Sequence, residues 1–271
     1  MNRVKLKQRP PTVYATNHPR LPPQPETLTL NNALILSGHQ PTLLPYPGFF
    51  YRMFHSNIMD ICPYDPFSCH SDRYQHRVKI GTDHNWQWLT LPVEAHNGCS
   101  ILDVKLKTHL LSERWSILEQ VYKSYPLWPS YKTELKEIFF GYSHLWELNL
   151  RLITWIRDLL RIRTYLSISY AAEGDDTTER VASQFAKYGA VIYLAGKGSV
   201  EYLDMQKYNR LTHSTIAVVT YTPPEPYSTV TMLTPILLYP PEKVLSQLNI
   251  IRAPIKVIVN GAEYNANYLN N

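Results

Sequence analysis

Ala33-Leu34-Ile35-Leu36-Ser37-Gly38-His39-Gln40-Pro41-Thr42-Leu43-Leu44-Pro45-Tyr46-Pro47-Gly48-Phe49-Phe50 joins an apolar run to a stiff loop and then to the start of a helix. The run at 33–37 reads as a buried strand, and a helix is expected over 48–55. From Gly38 to Gly48, three prolines and two glycines hold the backbone in a rigid loop with a few special angles. Polar groups at the carboxyl end of a buried strand, just before a helix, are where open α/β sheets place their ligand. The loop carrying His39 and Gln40 is therefore the expected organising site.

Working outward, 58–62 reads as a second strand, and 63–73 as a loop crowded with Tyr64, Asp65, Ser68, Cys69, His70, Asp72 and Arg73. Segments 75–80 and 86–91 alternate in the strand manner and are joined through 81–85 as a hairpin; a further strand is expected at 101–106. The middle is helical, over 112–125, 130–140 and 143–161. In the last of these Leu145, Leu148, Leu152, Trp155, Ile156, Leu159 and Leu160 form one stripe, the pattern of a core-packing helix. From 164 the rhythm becomes strand (165–169), helix, strand (191–195), loop (196–199) and strand (216–221). Asp176 and Glu179 supply a capping box for the helix, which is expected to stop at Gly189.

This alternation predicts an α/β fold with a mostly parallel sheet flanked by helices. The antiparallel hairpin region, about 75–106, is expected to be inserted or set at an edge. Residues from Pro223 onward read as proline-rich and irregular. Residues 1–30 read as a disordered basic, proline-rich arm, and 31–271 as a single domain.

The chain has 271 residues, 44% of them hydrophobic, enough for a proper core. No apolar run approaches the roughly 20 residues needed to cross a bilayer. The first residues lack the apolar centre of a signal peptide. Three cysteines are too few, and odd in number, for a disulfide framework, so a reducing cytoplasm is expected. The net charge of +5 is uneven. Arg3, Lys5, Lys7, Arg9 and Arg20 against Glu26 give the arm +4, which leaves about +1 for the rest. Such an arm is ordinarily a solvated tail, but it is also the segment through which nucleic acid would be touched.

Four regions carry candidate chemistry. His39 suits a general base or an anion contact, and Gln40 can hold an amide, a carboxylate or a base edge. If the first two strands are neighbours, Asp65, His70 and Arg77 open on the same edge as His39. An Asp–His pair can activate a hydroxyl or amine, and an arginine can grip phosphate or carboxylate. Gly196, Lys197, Gly198 and Ser199 form a glycine-rich turn suited to an anion, though without the P-loop spacing. Seven histidines and all three cysteines fall between residues 39 and 109. No Cys-x2-Cys or His-x3-His pairing accompanies them, so zinc is not expected and no metal ligands are assigned. Cys69 paired with His39 or His70 is an alternative nucleophile.

Several blocks resemble the WbqC-like protein family. They are His39-Gln40-Pro41 with Leu44-Pro45 and Gly48-Phe49-Phe50, then Asp65, and Tyr74-Gln75-His76-Arg77-Val78-Lys79-Ile80. Trp88-Leu89-Thr90-Leu91-Pro92-Val93 follows, then Tyr193-Leu194-Ala195-Gly196-Lys197-Gly198 and Tyr202-Leu203-Asp204. The resemblance covers about 33–205. It implies surface-polysaccharide (O-antigen) chemistry: an acyl- or aminoacyltransferase acting on an amino sugar with an activated acyl or aminoacyl donor. On matching positions it points to His39, Gln40, Asp65, Arg77, Gly196, Gly198 and Asp204. The late block reads Thr234-Pro235-Ile236-Leu237-Leu238-Tyr239 and lacks the aspartate of the family's version.

The expected function is thus a transferase acting on an amine or hydroxyl of a sugar-like or sugar-nucleotide substrate. His39 and Asp65 would handle the proton, and Arg77 with 196–199 would hold a phosphate or carboxylate. One alternative is nucleic-acid binding, including a transferase that decorates a DNA base. Another is a nucleotidyl-transfer or adenylate-forming enzyme, although Pro45-Tyr46-Pro47-Gly48 replaces that superfamily's His-x-Gly-His.

Overall fold

The computed structural model describes residues 34–69, 74–186, 188, 191–219, 221–250, 256–259 and 262–265. The basic arm, His70 and Gly189 lie outside the described residues. The chain opens with β1 (Leu34–His39), α1 (Pro47–Phe54) and β2 (Ile58–Ile61). The hairpin β3 (Arg77–Thr82) and β4 (Asn85–Thr90) follows, then the short pair β5 (Val93–Glu94) and β6 (Lys105–Leu106). Three helices come next, α2 (Leu111–Tyr122), α3 (Trp128–Phe140) and α4 (Leu145–Leu159). The chain then alternates through β7 (Tyr165–Ile168), α5 (Thr177–Ala186), β8 (Val191–Gly196), α6 (Met205–Thr212) and β9 (Thr215–Val219). It closes with α7 (Leu233–Leu238), α8 (Pro241–Ile250), β10 (Lys256–Val259) and β11 (Ala262–Asn265).

The main sheet has seven strands in the order β11-β10-β9-β8-β1-β2-β7. Its five strands from β9 to β7 are parallel, and β10 and β11 add antiparallel at one end. The expected α/β class is therefore the observed one. The chain builds outward from β1 to β2 and β7, then returns to the other side of β1 for β8 and β9. Strand order thus reverses between β1 and β8, and in open α/β sheets ligands bind at the carboxyl ends of the strands flanking such a reversal.

Strands buried on both faces explain the composition of β1 and β2. Alternate residues feed two separate cores. Ile35, Met59, Ile61 and Leu194 pack with α1 and the α2–α4 bundle. Leu36, Ile58, Tyr193 and Ala195 pack with Ala182 and Phe185 of α5 and Tyr208 of α6. α1 starts with Pro47, whose missing N–H costs nothing there. It is buried almost all round, Arg52 included.

The β3–β4 hairpin is inserted between β2 and the helical middle, as expected, and forms its own two-stranded sheet. Other expectations are corrected. Residues 101–106 hold a 3-10 turn (Ile101–Asp103) before the two-residue β6, because Ser100 caps the Leu102 amide and curls the chain. The 196–199 segment runs into a 3-10 turn, Lys197–Glu201, rather than an open loop. The part after Pro223 stays irregular as far as Met232 and then supplies α7, α8 and the antiparallel extension, its prolines at 235 and 241 sitting in or at the start of helices.

Candidate functional site

β1 and β8 pair from Leu34↔Val191 to Leu36↔Tyr193, and the described pairing stops there. Each strand runs on for three more residues. β1 stays paired to β2 as far as His39↔Ile61, and β8 to β9 as far as Gly196↔Val219. The two strands therefore part at their carboxyl ends, and the parting is the switch-point crevice. Continuing the register brings His39 level with Gly196 across it.

His39 stands at the mouth. Its Nδ1 lies 2.8 Å from the Gln40 carbonyl oxygen, and since a carbonyl can only accept, Nδ1 carries the proton. Burial, then the charge of Arg52, pull the His39 pKa down to about 3, against an opposing pull from the Gln40 hydrogen bond. The ring is neutral at ordinary pH, and its Nε2 is a lone-pair acceptor. The edge-on ring of Phe49, 5.1 Å away, fixes its orientation.

Arg52 reaches the same place from α1. It is 5% exposed, and its Nε has no hydrogen-bond partner. One terminal nitrogen approaches the Gly38 carbonyl, only at 3.5 Å. Among the described residues it has no carboxylate within ion-pair distance. A Cβ built on Gly196 would sit 3.7 Å from both its Cζ and its Nε. The guanidinium thus lies between the parted ends of β1 and β8.

The loops after β1 and β2 are joined into one edge, as expected from their neighbouring strands. Cys62 N–H donates to the His39 carbonyl at 2.9 Å, and Leu43 N–H to Tyr74 at 2.9 Å. Gln75, 1% exposed, donates to Gln40 Oε1 at 2.8 Å and to the Pro66 carbonyl at 3.0 Å, and accepts from Ser68 N–H at 2.7 Å. Asn149 of α4, fully buried, donates to the Pro41 and Gln75 carbonyls.

On the α5 side Asp60 is fully buried, with Oδ2 accepting from Ser169 Oγ and Gln184 Nε2, and Oδ1 unpartnered. Gln184 Nε2 also donates to Cys62 Sγ. Burial, then the Asp60 and Asp65 carboxylates, push the Cys62 thiol well above its usual range, so it is not poised as a nucleophile. Asp65 lies close enough to raise Tyr64 as well.

The expected residues are thus distributed. His39, Gln40 and Gly196 lie at the crevice. Asp65 lies beside Cys62 and Tyr64 on the adjoining loop. Lys197 and Gly198 are exposed at the start of the 3-10 turn, and Ser199, buried, bonds Tyr202 at 3.1 Å. Asp204 caps α6, accepting from Lys207 N–H. Arg77 lies on the hairpin, its Cζ 3.8 Å from the centre of the Trp88 ring. Cys69 N–H bonds Asn97. Cys62, Cys69 and Cys99 are all free thiols. Sequence reading passed over Arg52, Asp60, Gln75 as a tie, and Asn149. The signal for three of them was present: a charge or amide inside an otherwise apolar buried run, as in Phe49-Phe50-Tyr51-Arg52-Met53-Phe54.

Among the described residues no helix is long and apolar enough to cross a membrane. The uncharacterized protein Rv1507c of Mycobacterium tuberculosis is 25% identical to the chain over 182 residues, which is 64% of this chain and 77% of that protein. The WbqC-like protein family model matches residues 40–232, a span that runs from Gln40 through the crevice strands to Met232. The chain therefore belongs to the WbqC-like protein family.

Proposed function

We propose that the protein is a cytoplasmic transferase that moves an acyl or aminoacyl group onto an amine or hydroxyl of a sugar-like acceptor, in chemistry of the surface-polysaccharide type. The observation that carries this reading is the His39 tautomer. With Nδ1–H donated to the Gln40 carbonyl and burial holding the ring neutral, Nε2 carries no proton and can accept one at the carboxyl end of β1. As the acceptor oxygen or nitrogen bonds to the acyl carbon, Nε2 takes its proton. The bond from acyl carbon to leaving group then breaks, and the proton passes to the leaving group. Asp65 assists the proton transfer from the adjoining loop, with Gln40 and His70 contacting the acceptor. Arg77 and the 196–199 segment hold a phosphate or carboxylate, and Asp204 contacts the acceptor.

The test is a mass-spectrometric screen of nucleotide-linked amino sugars against thioester and aminoacyl donors. The acceptor should gain the acyl mass. His39→Ala should lower kcat by about 10²–10⁴-fold. No product from any pairing, or full activity in His39→Ala, removes the reading.

A second reading is favoured by one surface feature. Arg77 covers Trp88, Lys79 Nζ lies 4.2 Å from the Trp86 ring centre, and Trp86 is 42% exposed. Cations alternating with indoles suit stacked nucleic-acid bases, so the protein would act on single-stranded nucleic acid. Quenching of tryptophan fluorescence by a single-stranded oligonucleotide, weakening with salt, checks it. An unchanged spectrum at low salt removes it.

A further inference from the structure

We propose that Arg52 is an anion-binding residue, and that the gap between the parted ends of β1 and β8 receives a phosphate or carboxylate oxyanion of the substrate against its guanidinium. The inference deepens the transferase reading and rests on it only for which molecule carries the anion.

A guanidinium has five N–H donors and stays charged under all ordinary conditions. Burying it without a counter-charge is costly. In this chain the burial is nearly complete, the Nε donor is orphaned, and the hydrogen bond its guanidinium makes among the described residues is to a single carbonyl, at 3.5 Å. A residue placed for packing would sit on a surface and extend its charge into water. Arg52 instead projects from an otherwise apolar helix to where β1 and β8, neighbouring parallel strands, cease to pair.

Gly196 supplies a second, independent observation. Its φ of −78° and ψ of 164° are ordinary extended backbone, so conformation does not require glycine. Sterics do not require it either, because a Cβ would meet Arg52 at an ordinary contact distance. What the missing side chain leaves is space directly over the guanidinium. An oxyanion placed there would form charge-assisted hydrogen bonds, bidentate if both Nε and a terminal nitrogen engage. It would lie beside His39, close to the proton that the ring is placed to take.

The probes are inorganic pyrophosphate and uridine diphosphate for the phosphate arm, and succinate for the carboxylate arm, titrated by calorimetry into the full chain. One arm should bind. Arg52→Met should weaken it about 10–100-fold, the loss of one to two charged hydrogen bonds, with Arg52→Lys intermediate. Gly196→Ala should weaken it about tenfold or more while leaving the melting temperature and circular dichroism unchanged, which separates loss of the site from loss of the fold. Saturation with the bound anion should also raise the His39 pKa in an NMR titration, because the anion offsets the charge of Arg52 on the ring; an ion on the surface would leave it unmoved. No binding in either arm, or binding by Gly196→Ala and Arg52→Met as tight as that of the unaltered chain, overturns the proposal. Anion binding without any transfer product would remove the transferase reading alone, whereas transfer indifferent to Gly196→Ala would remove the anion site alone.

Discussion

Gln75 donates its side-chain amide to Gln40 Oε1 at 2.8 Å, closing the loop after β1 onto the loop that follows β2. The same amide group holds Pro66 and Ser68, so one buried residue ties three stretches together. Gln75→Ala should cost about 2–4 kcal/mol by chemical denaturation, since it strands the Ser68 amide and removes two donated bonds. A loss below about 0.5 kcal/mol would mean that the wall holds without it.

Asn149→Leu tests the layer behind that wall. Its amide is shared between the Pro41 and Gln75 carbonyls inside an apolar helix face. Leucine fits the stripe and satisfies neither carbonyl, so about 2–3 kcal/mol should be lost. Transfer activity should fall as well, through loosening of His39 and Gln40. A stable variant with unchanged kcat and KM would contradict this linkage.

Acid should destabilise the protein well above the carboxylate range. The pKa of His39 is lowered to about 3 and that of His55 to about 4, in both cases by burial first. Between about pH 6.5 and those values the unfolded chain binds each proton and the folded chain does not. Stability therefore rises with pH across this window, by about 1.4 kcal/mol per pH unit for each histidine. His55→Gln should flatten the slope by one proton in denaturation measured from pH 4 to 7. An unchanged slope would count against a neutral buried His55.

Asp83 adds a loss of the same sign at lower pH. Ser228 and Thr229 each donate a backbone N–H and a hydroxyl to its carboxylate, which pins the segment before α7 across the hairpin turn. Burial works against the charge, but the four bonds outweigh it and lower the pKa. Its stabilisation is present above the unfolded pKa, near 3.9, and is lost as pH falls through the folded one. Asp83→Asn, whose nitrogen cannot accept, should cost about 1–2 kcal/mol at pH 7 and nearly nothing at pH 2. An equal cost at both would contradict it.

Gly81→Ala should be severe. Gly81 has φ +104°, and an added Cβ would lie 2.3 Å from the Asn85 carbonyl oxygen. Its N–H donates to Tyr122 and its carbonyl accepts from Thr234, both buried. Strain alone accounts for about 1–3 kcal/mol, and the clash adds to it. A melting temperature within a degree or two of wild type would refute this account.

Much of this architecture could be read from residues. The 3.6-residue stripe of Leu145, Leu148 and Leu152 marked α4, and the strand–helix alternation after Thr164 marked the parallel sheet. The strand neighbours of β1 placed His39, Gln40 and Gly196 at one edge. The C-terminal elements were obscured because Pro235 and Pro241 look like breakers, although each sits where a helix tolerates proline. Thr234, in the block that lacks the family's aspartate, is spent on packing: it bonds Gly81 and Tyr122. Arg52 stayed hidden because periodicity weighs a helix by its apolar face, and a single charge reads as the solvent side. Only the parting of β1 from β8 gives that charge a meaning.

That parting also sets when the site comes into being. Leu34 pairs with Val191, so the strand bearing His39 is synthesised long before the strand that faces it. A growing chain that has not yet delivered Val191 already carries His39 and Arg52, but has no second strand to form the crevice with β1. Pairing of such sequence separation closes late and slowly. The crevice therefore cannot form before β8 has been made, and a chain cut short in its middle helices lacks it however well those helices fold.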